Sequence, residues 1–293
     1  MFRLVDAEKA IYPVQRLCEV LGVSRSGYYA WQGRRPSKRL IEDMNLLRLI
    51  RSSHEQSHGT YGAPRIHAAL RRYYGVHCSQ KRVARLMREA GLSGRGHHSR
   101  PLGTTRRNPK RPLQPDLVRR NFHPPAPNRL WVADITQHPT DEGWLYLATI
   151  LDAFSRRIVG WSMGERIVAD LVVDAVIMAV RNRQPDQGVV HHSDHGAQYT
   201  SIAFTRQLEE SGIIGSMGTV GDALDNAMAE SFNATLQDEL LNTQQTWPTR
   251  AQLRSAIFQY IEVFYNRRRL HSALGYLSPE EFERAHAAGQ VAS

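Results

Sequence analysis

The chain has 293 residues, 41% hydrophobic and 23% charged, an ordinary balance for a soluble globular protein with room for one α/β domain and one or two small modules. No run reaches the roughly 18 apolar residues of a membrane span (the best, 171–180, is broken by Asp174), and the N-terminus has no apolar signal core, so a cytoplasmic setting is expected. The net charge of +10 is uneven: residues 1–130 hold 26 Lys+Arg against 8 Asp+Glu, the rest 12 against 20, so a basic half suited to a polyanion precedes an acidic half that would need cations to approach one.

The first 92 residues read as short helices. Val14, Leu17, Cys18 and Leu21 have helical spacing, Gly22 ends that run, and Ser24 can cap a second helix reaching Trp31, the outline of a helix-turn-helix. Ile41, Met44, Leu47 and Ile50 form another amphipathic stretch. A second helical pair follows, with Ile66, Leu70 and Tyr73 on one face, then Ser79 as cap and Val83, Leu86 and Met87 lining the next helix until Gly91 stops it. Opposite that last stripe stand Lys81, Arg85 and Arg88, with Arg82 alongside, as a DNA-recognition helix requires, although a solvated helix face would look the same. Cys18 and Cys78 fit neither a disulfide framework nor a metal clip.

Residues 93–125 hold eight Lys/Arg with several Pro and Gly and no apolar period, which reads as a basic linker. Beyond it, strands are predicted at 130–138, 144–151 and 157–163, a helix at 169–183, a strand at 188–193, a helix at 201–211, a strand at 213–217 and a long helix at 225–241. Three consecutive strands followed by alternating helix and strand imply a mixed sheet covered by helices. The expected segments are 1–56 (helix-turn-helix), 57–92 (a second such module), 93–125 (linker) and 126–293 (the α/β core with a helical extension).

Three acids stand apart: Asp134 within an otherwise buriable strand, Asp194 closing another strand before a glycine turn, and Glu230 on the long helix. Carboxylates at strand ends and on a covering helix can converge above a sheet, where they repel one another unless a divalent cation holds them. Oxygen-only ligands suit Mg²⁺ or Mn²⁺, and a pair of such ions suits in-line displacement at phosphorus.

The intervals, 59 residues between Asp134 and Asp194 and 35 between Asp194 and Glu230, resemble those of the retroviral-integrase superfamily. More specifically, the chain resembles the OrfB transposases of bacterial insertion sequences. The matching phrases are Gly59-Thr-Tyr-Gly-Ala-Pro-Arg-Ile-His67, Asn128-Arg-Leu-Trp-Val-Ala-Asp-Ile-Thr136, His191-His-Ser-Asp-His-Gly-Ala-Gln-Tyr199, Asp225-Asn-Ala-Met-Ala-Glu-Ser-Phe232 and Tyr265-Asn-Arg-Arg-Arg-Leu-His-Ser-Ala-Leu-Gly-Tyr276. The resemblance implies an RNase H-like core with a mixed five-stranded sheet and helices on both faces, behind an all-α helix-turn-helix region. It assigns catalysis and metal binding to Asp134, Asp194 and Glu230 with two Mg²⁺ or Mn²⁺ ions. It implies cleavage at terminal inverted repeats and joining to target DNA, a homo-oligomer, and an OrfA partner or OrfAB fusion.

The family usually has Lys or Arg seven residues after the catalytic Glu, whereas this chain has Gln237. Gln237, Asn226 and Asn233 share the face of Glu230 and could contact DNA; the asparagines could instead hold the carboxylate or be plain surface residues. Arg267 and Arg268 are expected at a DNA-contacting helix end. Among competitors, Asp152 reads better as an arginine-paired turn residue, and His54 and His58 lack the C-x-x-C that would complete a zinc module. Tyr265 with His271 invites tyrosine-recombinase chemistry, but Leu274 stands where that chemistry needs arginine. A DNA-binding regulator, or a metal-dependent nuclease without strand transfer, remains the alternative.

Overall fold

The computed structural model describes residues 1–95, 115–119, 121–194, 196, 198–218, 227–243 and 246–289. It divides into two compact units, Met1–Ser52 and Ser53–Ser293.

In the first unit, α1 (Phe2–Glu8), α2 (Val14–Val20) and α3 (Arg25–Gln32) enclose Val5, Cys18 and Tyr28. The predicted punctuation is present: Gly22 takes φ 67°, and the Ser24 hydroxyl accepts from the Gly27 amide at 3.0 Å. Tyr28 donates to Asp6 at 2.9 Å, closing the bundle. The long helix α4 (Lys38–Gln56) follows.

In the second unit, α5 (Ala63–Tyr74) ends on Gly75 in the left-handed region, and Ser79 caps α6 (Gln80–Glu89). Their apolar faces bury Ile66, Leu70, Val83, Leu86 and Met87 as helical spacing predicts, whereas Tyr73, expected on the first of these faces, is exposed. The pair is fastened to a segment about 200 positions away. The Tyr61 hydroxyl accepts from the Leu270 amide at 2.8 Å, and Arg65 donates to the Leu270 carbonyl at 3.1 Å.

Among the described residues the sheet has five strands in the order β3-β2-β1-β4-β5: β1 (Leu130–Thr140), β2 (Gly143–Asp152), β3 (Ile158–Gly164), β4 (Val190–Ser193) and β5 (Ile214–Met217). β1, β2 and β3 are antiparallel neighbours, while β4 pairs parallel to β1 and β5 parallel to β4. One face is covered by α7 (Ala169–Arg183) and α8 (Ile202–Glu210), which bury Trp131, Ala133, Ile150, Val176 and Phe204. Gly160 is what lets α7 lie this close, because a Cβ there would run into the Ala175 carbonyl. The other face packs Leu130 and Val132 against Ala229 of α9 (Ala227–Glu239). Strand alternation therefore puts Val132 and Asp134 toward α9, and Trp131 and Ala133 toward α7.

α10 (Arg250–Gln259), a π-helical stretch (Tyr260–Tyr265) and α11 (Pro279–Ala287) complete the unit. The Asn266 side chain donates to the Ile158 carbonyl and accepts from its amide, both at 2.9 Å, satisfying the edge of β3. The predicted strands and helices all occur, with ends displaced by a residue or two. The long helix is described from Ala227, and its predicted start lies outside the described residues.

Candidate active site

The three singled-out acids meet at one end of the sheet. The parallel register pairs Trp131 with His191 and Val132 with His192, and continued by two residues it sets Asp134 abreast of Asp194. Asp194 follows the last residue of β4, and its Oδ1 accepts from the Gly196 amide at 3.0 Å. Glu230 comes from α9, one residue beyond Ala229, which packs under Val132. One turn on, Asn233 donates to Asp134 Oδ2 at 2.7 Å, fixing α9 against β1.

The electrostatics match this convergence. Asp134 is pushed up to about 7, first by burial, then by the charges of Asp194 and Glu230, while only the Ile135 amide and Asn233 act to lower it. Glu230 is raised by burial. Beside the acids, the Tyr199 hydroxyl and Asn233 Oδ1 are buried with no hydrogen-bond partner among the described residues. Burial first, then Asp134 and Asp194, keep Tyr199 protonated. Carboxylates that add to the rise of Asp134, with no cation among the described residues acting on it, form a donor set suited to a hard divalent ion. Among the described residues no three ligands are already closed around one point, so the fit is in donor type rather than a finished coordination shell.

The remaining candidates fall into two groups. Lys81 and Arg88 are exposed on α6; Arg82 and Arg85 are half-buried, and Arg85 pairs with Glu89 at 3.0 Å. Gln237 donates to Asn242 at 2.7 Å, while Asn233 is committed to Asp134. Asn226 lies outside the described residues. Arg267 and Arg268 are exposed, Arg267 lying 3.8 Å from Glu280. The stretch around them is less of a DNA-facing surface than its composition suggests, because Asn266 serves β3 and Arg269 is 3% exposed, clamped to Glu239 at 2.7 and 2.8 Å.

The competitors have structural partners. Asp152 is fully buried and accepts from the amides of Asn128, Phe154 and Ser155. Its nearest arginine is Arg183 of α7 at 3.9 Å rather than one from its own turn. His54 bonds the Ser93 carbonyl at 3.0 Å, and His58 packs edge-on against Phe264, so neither completes a zinc site. Tyr265 and His271 are buried ring to ring, which removes the tyrosine from any nucleophilic role. His191 packs on Phe204 and His192 bonds Ser216, so both support β4.

Sequence reasoning missed two buried charge clusters. Glu239 receives Arg269, the Tyr260 hydroxyl and, at 3.7 Å, Arg65. Glu283 receives Arg157, Arg183 and the Ser155 hydroxyl at 2.7–2.9 Å. Their members lie up to 174 positions apart, so no local pattern announces them.

Family models agree with this architecture. An integrase core domain model matches residues 124–223, a second integrase core domain model matches 211–279, and an HTH-like domain model matches 41–100. An uncharacterized 31 kDa protein of insertion element IS600 from Shigella sonnei is 41% identical over 92% of this chain and 98% of its own length. The transposase InsF of insertion sequence IS3A from Escherichia coli K12 is 37% identical over 97% of this chain and 98% of its own. Among solved structures, the HTLV-2 integrase catalytic core in complex with magnesium aligns at TM-score 0.41 and 16% identity, over 54% of this chain and 97% of that one. Two matching core models, an HTH-like region ahead of them, and near full-length identity to a transposase leave one assignment: the chain belongs to the bacterial insertion-sequence transposases, DDE-type polynucleotidyl transferases built on an integrase core.

Proposed function

We propose that Asp134, Asp194 and Glu230 are the catalytic acids, and that they hold two Mg²⁺ or Mn²⁺ ions while the chain cuts element ends and joins the freed 3′-hydroxyl to target DNA. The observation that carries this reading is the convergence itself: the β1–β4 register sets Asp134 abreast of Asp194, α9 packs Ala229 under Val132 and so carries Glu230 to the same sheet end, and both acids add to burial in raising Asp134. When bound, the ions would activate the attacking oxygen and neutralise charge on the leaving one. The chain's own groups do the positioning. Asn233 orients one oxygen of Asp134, the Gly196 amide orients one oxygen of Asp194, and α9 brings Glu230 over the end of the sheet.

Lys81, Arg82, Arg85, Arg88, Asn226, Gln237, Arg267 and Arg268 are proposed as DNA contacts. The exposure of Lys81, Arg88, Arg267 and Arg268 supports four of them. For Asn233 a role in holding Asp134 is better supported than a direct DNA contact. Terminal inverted repeats are the proposed substrate, a homo-oligomer the proposed working form, since two ends must be handled together, and OrfA a proposed partner.

The test is incubation of the purified full chain with labelled terminal-repeat duplex, with and without Mg²⁺. Metal-dependent nicking and strand joining are expected from the wild type, and neither from Asp194→Asn, which should bind the duplex and melt like the wild type. Near-wild-type nicking by that variant would overturn the triad.

A further inference from the structure

Behind α9 lies a cavity of about 120 Å³, several times the roughly 30 Å³ share of a liquid water and roomy enough for a phosphoryl group. Three guanidinium-bearing side chains, Arg65, Arg156 and Arg269, line it with His271 and with Ser231 and Thr235 of α9, and no carboxylate is among its lining residues. Arg65 and Arg269 share the single carboxylate of Glu239, at 3.7 and 2.7 Å. Arg156 makes no side-chain hydrogen bond or ion pair with any described residue. It is held half-buried at φ 61° in the turn after β2, a conformation that costs an arginine energy and that its backbone bond to Asp152 maintains. Three cations against one anion in a partly desolvated recess leave two positive charges uncompensated. All three arginines act on buried His271, which burial first, and then their charges, keep neutral. Ser231, Ser272 and Ala273 are exposed, so the cavity opens to solvent, and Ser231 is the residue after Glu230.

We infer that this pocket seats a phosphodiester of bound DNA, with Arg156 as the guanidinium reserved for it. The inference rests on the reading that DNA passes Glu230. Ser231, exposed where the pocket opens, is next to Glu230 in the chain, and the guanidinium groups inside give the pocket the charge to anchor a phosphate neighbouring the one at the acids. Arginine presents a planar fork that matches phosphate oxygens, and a site with two spare charges binds an anion without needing base identity. The pocket would therefore set strand register and contribute no sequence preference.

Arg156→Gln tests this cleanly, because the native side chain has no described partner to orphan, whereas Arg269 variants would strand buried Glu239. Binding of the full chain to terminal-repeat duplex is measured in EDTA, which separates it from the metal-holding acids. Arg206→Gln, at an exposed position of α8, serves as a charge-matched control. Arg156→Gln is expected to weaken binding about tenfold and to make the log–log salt dependence shallower by about 1, with the control unchanged. In a series of duplexes each carrying one neutral methylphosphonate linkage, one position should weaken the wild type and leave the variant indifferent. Wild-type affinity in the variant, or methylphosphonate losses that are the same in both proteins, would overturn the proposal. So would inorganic phosphate protecting the wild type but not the variant from thermal unfolding while both bind DNA equally, since that marks a free-anion site. A wild type that binds the duplex yet never nicks it in Mg²⁺ overturns the reading of the acids instead, and the Arg156 comparison stands by itself.

Discussion

Two of the carboxylate sites in the second unit, at Glu283 and at Asp134, differ in what surrounds them. Glu283 is met by Arg183, Arg157 and the Ser155 hydroxyl, and although burial opposes it, those partners hold its carboxyl below the usual range. Asp134 is raised to about 7, first by burial and then by the charges of Asp194 and Glu230. The chain thus satisfies one buried acid with its own arginines and leaves another facing further acids. A folded chain tolerates the second arrangement by keeping a proton on the buried acid or by taking up a cation. The contrast separates a structural ion pair from a site with unmet negative charge.

Breaking the paired cluster should have the largest effect on stability. Glu283→Ala leaves Arg157 without a counter-charge and Arg183 with the more distant Asp152, and a loss on the order of 3 kcal/mol is expected from denaturant melts, with the same sign in Mg²⁺ and in EDTA. An unchanged midpoint would mean the cluster is solvated and marginal.

The unpaired site should respond in the opposite direction. Asp134 has a folded value near 7 against 3.8 unfolded, so the folded state keeps a proton the unfolded state gives up. Stability of the metal-free protein should therefore fall as pH rises from about 4 to about 7, whereas the Glu283 contribution is complete above 4.5 and is lost as pH drops through its lower folded value. Asp152, raised to about 6, adds to the decline between pH 4 and 6, so Asp134→Asn is needed to isolate the effect. That variant should be more stable than the wild type in EDTA at pH 8 by a margin on the order of 2 kcal/mol, and should lose the stabilisation that Mg²⁺ gives the wild type. A flat wild-type melting temperature across this range would show that Asp134 is not raised by its burial and its acidic neighbours.

The smallest expected effect concerns the face they share. Gln237→Lys places a cation two turns from Glu230, where the native amide reaches only Asn242. Affinity for terminal-repeat duplex should rise several-fold and the salt slope steepen by about 1, read from isotherms in NaCl. No change would place Gln237 away from the DNA path.

Much of this was legible before any coordinates. Ser24 and Ser79 cap where their spacing says they should, and the strand and helix order of 130–241 follows from period and punctuation because each element's signal is local. The three acids stood out as candidates for a different reason: Asp134 lies within a strand otherwise fit for burial and Asp194 just past the end of another, and a charge in such a place is informative in itself. Within the basic run at 267–269 three adjacent arginines look alike in sequence. Only the packing sends Arg269 inward to Glu239 and leaves Arg267 and Arg268 outside. Asn266 gave no signal either, since its task is to complete the hydrogen bonding of a strand 108 positions earlier.

The amino-acid sequence by itself determined which elements form, where they stop, and that three carboxylates would be drawn out of ordinary surface roles, because caps, glycines and hydrophobic period act over a few residues. Tertiary structure alone decided which charges find partners: Glu239 with Arg269 and Arg65, Glu283 with Arg183, Asp134 with no cation among the charges acting on it, and Arg156 with no side-chain partner among the described residues. Charge pairing depends on distances across the fold, and only when β1, β4 and α9 pack does the surplus of negative charge at one site and of positive charge behind it come into being.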